Sequence, residues 1–107
     1  MSLIQIVYWR DIPAQVKVRE GRTRVSRPLP TRFQEAIDSA AMRTGASGTD
    51  EYLAEWRTSE ASERADPPET VADDVVREFE ALYTPERLRQ LIDHGGSEVQ
   101  NPVEDRS

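Results

Sequence analysis

The chain has 107 residues, enough for one domain with a modest core, and its net charge of −6 with 36% hydrophobic content describes a polar globular protein. No apolar run approaches membrane-spanning length, and Met1-Ser2 leads directly into an apolar strand without the features of a secretory signal, so a cytoplasmic protein with no membrane attachment is expected. With no cysteine there is no disulfide framework, thiol nucleophile or thiolate metal site, and the single His94 leaves metal binding to carboxylates; neither a metal nor a cofactor is expected.

Leu3-Ile4-Gln5-Ile6-Val7-Tyr8-Trp9 is apolar at nearly every position, which suits a central strand (about 3–9) better than a half-exposed edge. Pro13, in Arg10-Asp11-Ile12-Pro13, ends it and calls for a tight connection. Two further strands, about 15–19 and 22–27, flank Glu20-Gly21 as a hairpin and stop before Pro28-Leu29-Pro30. A two-residue loop at Glu20-Gly21 pairs Arg19 with Arg22, Lys17 with Arg24 and Val16 with Val25. Alternation then places Lys17, Arg19, Arg22 and Arg24 on one face and Val16, Val18, Thr23 and Val25 on the other.

Thr31-Arg32-Phe33-Gln34 has capping-box form and opens a helix over 32–44, with Phe33, Ile37, Ala40 and Ala41 at helical spacing and Gly45 as its stop. Ser47-Gly48-Thr49-Asp50 starts a short helix over 49–57 that carries Tyr52, Leu53 and Trp56. Residues 58–66 contain no large apolar side chain and read as a polar linker. Asp66 as cap and Pro67 at the first position begin a helix over 67–83, apolar at Val71, Val75, Val76, Phe79 and Leu82 and acidic outside. Thr84-Pro85-Glu86 opens a last helix over 85–94, closed by Gly95-Gly96, with His94 placed to interact with its negative end. The expected fold is α+β: a three-stranded antiparallel sheet with three to four helices mainly on one face, a single domain over 1–95 and a disordered tail at 96–107.

The first 45 residues carry eight bases against four acids, +4, which leaves −10 for the rest. Like charges directly opposite in a hairpin cost stability, so a compensating group is expected: the molecule's own Asp73, Asp74 and Glu78, the favoured alternative, or the acids of a partner. No aromatic interleaves with Lys17, Arg19, Arg22 and Arg24, which argues against base stacking and hence against nucleic acid. Trp9 and Arg10 are candidates for the floor and rim of a small site, against the plainer reading of a core tryptophan at a strand end beside an Arg10-Asp11 turn pair. Asp73-Asp74 point in different directions on a helix and do not suggest an acid–base pair. No phosphate loop, zincin pattern or nucleophile elbow occurs.

The string Tyr8-Trp9-Arg10-Asp11-Ile12-Pro13-Ala14-Gln15-Val16, with Leu29-Pro30-Thr31-Arg32-Phe33-Gln34-Glu35-Ala36-Ile37-Asp38 and Tyr52-Leu53-Ala54-Glu55-Trp56, resembles a family of small bacterial proteins called the "virulence factor" domain. The likeness covers roughly residues 3 to 94. The family comprises stand-alone proteins and a domain of a longer conserved virulence factor with an iron–sulfur-scaffold-like segment and helical repeats. It supplies no catalytic residue to carry over, and lacking cysteine this chain cannot ligate a cluster through thiolates. Some members lie near genes of corrinoid and folate one-carbon transfer, which implies an accessory or small-molecule-binding role as one alternative. A polyanion binder is another. The reading adopted is a non-catalytic adaptor that binds an acidic protein partner through Lys17, Arg19, Arg22 and Arg24 together with Trp9 and Arg10.

Overall fold

β1 (Ser2–Trp9) is apolar along its length because it is the middle of the sheet, with neighbours on both edges. The computed structural model describes residues 1–46, 48 and 50–97. One edge of β1 pairs antiparallel with β2 (Ile12–Glu20), which pairs in turn with β3 (Thr23–Pro28). The other edge is shared end to end by two short strands, β4 (Trp56–Thr58) and β5 (Ser62–Arg64), both antiparallel to β1.

The sheet therefore has five strands among the described residues, not the expected three. The two additional strands lie in the stretch expected to be a short helix and a polar linker. Three-residue strands are too short to show alternation, and β5 (Ser-Glu-Arg) has no apolar residue. Ser59 bridges them: its N–H donates to Ile6 O, its Oγ accepts from Ile6 N, both at 2.9 Å, and its carbonyl accepts from Gln5 Nε2. β1 thus keeps its outer ladder bonded across the gap.

α1 (Thr31–Arg43), α2 (Asp50–Ala54), α3 (Pro68–Leu82) and α4 (Pro85–Asp93) complete the chain. Ile4 and Ile6 of β1, Val16 and Val18 of β2 and Val25 of β3 are buried on one face of the sheet, where Phe33 and Ile37 of α1 and Val71 and Val75 of α3 meet them. The alternate positions, Leu3, Gln5, Lys17, Arg19, Arg24 and Ser26, are half-buried or exposed. Among the described residues the helices thus cover one face and leave the other open. No described helix is long and apolar enough to cross a membrane.

Three helix starts test the expected caps. Thr84 caps α4 and accepts from Arg87 N. Thr31 does not cap α1: the helix begins on Thr31 itself after Pro30, and Gln34 Nε2 bonds Asp38 instead of reaching back. α3 begins at Pro68 with Pro67 in the cap position and no side-chain cap, so Asp66 does not cap it; its backbone O instead accepts from the buried Ser2 hydroxyl at 2.7 Å, which ties the start of β1 to the start of α3. Of the expected tail, residues 98–107 lie outside the described residues, as do Ser47 and Thr49 before α2.

Candidate functional site

The hairpin register differs by two from the expected one. Arg19 pairs with Arg24, Lys17 with Ser26 and Val18 with Val25, and the loop is Gly21-Arg22. Both favoured two-residue hairpin turns need positive φ at their first central residue; a Glu20-Gly21 loop would put a glutamate there, whereas one step on puts Gly21 there with φ 59°. Moving the loop by one residue preserves the parity of both strands. Lys17, Arg19 and Arg24 therefore still share a face, and only Arg22 leaves it for the turn.

That face is the open one. Lys17, Arg19 and Arg24, with Leu3, Gln5 and Ser26, line a shallow groove of about 310 Å³. Each of the three cations is exposed, and none has an acid within ion-pair distance among the described residues. The acids nearest in register are Glu20, bound to the N-terminal ammonium at 2.7 Å, and Glu63, opposite Leu3 on β5.

The acids of α3 lie on the other side. Asp73 pairs with Arg27 at 3.1 Å, Asp74 with Arg77, and Glu78 with Arg64 through two 2.7 Å bonds. Arg27 and Arg64 stand opposite Val16 and Ser2, both buried, so they project toward the helices and meet α3. The Arg64 guanidinium holds the Glu78 carboxyl below its ordinary value of 4.5, and Glu78 in turn raises Arg64. Asp73, Asp74 and Glu78 thus neutralise Arg27, Arg77 and Arg64, not the open-face cations.

Trp9 and Arg10 form a second, closed constellation. Trp9 is 0% exposed, its Nε1 donates to Tyr52 O at 2.8 Å, and Gly96 lies against its ring. Arg10 has φ 53°, uncommon for a side chain of its size, at the first position of the two-residue turn between β1 and β2. Its guanidinium lies 4.9 Å from the Trp9 ring, donates to Gly95 O at 2.9 Å and to Glu51 at 3.1 Å, and stands 3.6 Å from Glu55. Only 17% of the side chain is exposed. Asp11 pairs with Arg57, which also stacks over Tyr8; burial raises the Tyr8 hydroxyl, with Arg57 opposing.

A bulge helps to set this corner. After Val7↔Gln15 the register passes to Tyr8↔Pro13, which makes Ala14 an extra residue on β2 and accommodates Pro13 within the strand. Gly95 and Gly96 close α4 with Gly96 N to Leu91 O and Gly95 N to Ile92 O, a Schellman arrangement, and Gly96 O accepts from Asp11 N at 2.8 Å. The glycine pair, legible in the sequence as a helix stop, is also the contact that locks the end of α4 onto the Trp9–Arg10 turn. His94 sits at the C-cap and its Nδ1 bonds Gln90 O.

A family model described as "Virulence factor" matches residues 7–92, from the second half of β1 to the end of α4. The chain belongs to this family. No curated protein and no solved structure matches it. The family match takes in the Trp9–Arg10 turn, the cationic hairpin and both short strands.

Proposed function

We propose that this domain is a non-catalytic adaptor whose open sheet face binds an acidic segment of a protein partner. The observation that carries the reading is the division of labour among the cations: Arg10, Arg27, Arg57 and Arg64 are committed to internal acids, while Lys17, Arg19 and Arg24 border one groove with no acid within ion-pair distance among the described residues. Arg22, in the adjoining turn, adds to the same positive field. Uncommitted charge of one sign around a concavity steers an oppositely charged partner and fixes its register. The absence of an aromatic among the groove-lining residues favours carboxylates over stacked bases. Trp9 and Arg10 support the fold beside this face and do not take part in the proposed contact.

A fluorescein-labelled Glu-rich peptide titrated against the chain tests this. Binding should weaken as salt rises, and the combined Lys17→Gln, Arg19→Gln and Arg24→Gln variant should bind about tenfold or more weakly with an unchanged circular dichroism spectrum. Equal affinity in the folded variant overturns the proposal. So does tight binding of single-stranded RNA with no binding of the peptide.

A further inference from the structure

The mode of binding can be read from the backbone of β3, an inference that rests on the proposed acidic partner. β3 is the end strand of the sheet. In an antiparallel hairpin with a two-residue loop, the residues flanking the loop exchange both backbone bonds, and alternate pairs do so thereafter. Thr23, Val25 and Arg27 therefore turn their amides toward β2, and the bond from Leu29 N to Ala14 O at 3.0 Å continues that phase. Arg24 and Ser26 consequently aim theirs outward, at the free edge. Pro28, the next in this phase, has no N–H. Ser26 O accepts from Arg27 Nη1 at 3.2 Å, which, among the described residues, leaves Arg24 N–H, Arg24 C=O and Ser26 N–H for another strand.

The two residues with outward-facing amides, Arg24 and Ser26, are also the ones whose side chains strand parity puts on the open face, and with Val25 between them they are the β3 residues that border the cationic groove. A strand added along this edge would place every second side chain beside Arg24 and Ser26, within reach of the long Arg19 and Lys17 side chains. The intervening side chains would fall beside Val25, on the apolar side covered by α3. We infer that β3 accepts an extended segment of a protein partner by strand addition, and that the segment alternates acidic with apolar residues. Main-chain bonds would supply affinity, and the Lys17, Arg19 and Arg24 groove would select carboxylates at alternate positions. A second copy of this chain is a poor occupant, because pairing β3 with itself brings Arg22, Arg24 and Arg27 of both copies together. Charged residues on an edge commonly serve to prevent such self-pairing.

The test compares a Glu-Val alternating peptide with the same peptide N-methylated on its pairing edge, by anisotropy and by amide exchange in the full chain. Methylation should weaken binding about tenfold or more, and the unmodified peptide should slow exchange at Arg24 and Ser26. Ser26→Pro removes an outward N–H without touching the β2 ladder, so the folded variant should lose the same affinity. Equal affinity for both peptides, without protection of those amides, overturns strand addition while leaving the acidic-partner reading intact. No binding of either peptide overturns both. Sedimentation showing a dimer that Ser26→Pro dissolves would assign the edge to a second copy and overturn the choice of occupant.

Discussion

Gly96 and Gly21 both have positive φ, 96° and 59°, yet they have different neighbours. A Cβ on Gly21 would meet nothing within 4 Å, so Gly21→Ala should cost only the backbone strain of the left-handed region, about 1–2 kcal/mol. A Cβ on Gly96 would stand 2.8 Å from Trp9 Cζ3 and 3.2 Å from Cε3. That ring is fully buried and bonded through Nε1, so it has little freedom to retreat. Gly96→Ala should therefore add an overpacking cost of about 1–3 kcal/mol to the same backbone strain. Urea unfolding of the two variants checks this. Equal losses would mean that the ring does yield, and that the Schellman close of α4 is not what fixes the Trp9–Arg10 turn.

At the scale of elements, the outer edge of β1 depends on β4, β5 and the serine between them. Ser59→Ala would leave the part-buried Ile6 N–H without its acceptor, at a cost of about 1–3 kcal/mol. Amide exchange at Ile6 should accelerate while that at Val16 and Val18, on the β2 side, follows only the global loss of stability. Uniform acceleration would instead make the two short strands inseparable from the rest of the sheet. These strands also mark the limit of what the sequence discloses. The apolar continuity of Leu3 to Trp9 asks for a central strand, yet the three-stranded meander expected from it leaves that strand on an edge, a conflict that already implies a missing neighbour. What supplies the neighbour, Trp-Arg-Thr and Ser-Glu-Arg, has no periodicity of its own and becomes strand only because β1 offers a ladder to join. Helices α1, α3 and α4 were legible to within a residue at each end, whereas the short helix expected over 49–57 stops at Ala54 and its last residues join β4. The cationic face was legible too, since strand parity survives a loop shifted by one, whereas the loop itself turned on which residue could take a positive φ.

Across the whole molecule, charge is sorted by side. The acidic helix α3 neutralises the cations that face it, and the far side of the sheet keeps Lys17, Arg19 and Arg24 together in a protein whose net charge is −6. Arg19 and Arg24 stand directly opposite each other, and the hairpin phase makes theirs a non-hydrogen-bonded pair, the closer of the two kinds of cross-strand contact. Folding gains nothing from that arrangement, because like charges in such a position are destabilising by roughly 0.2–1 kcal/mol. Arg24→Gln should therefore raise stability by a few tenths of a kcal/mol in urea unfolding at low salt, with the gain shrinking as salt screens the pair. The same variant should bind the Glu-rich peptide more weakly. A residue whose removal improves the fold and impairs binding is held by what it binds, as expected where stability and function compete for one position. Loss of both together would instead make Arg24 a structural residue, and the cationic groove a by-product of how the hairpin is held.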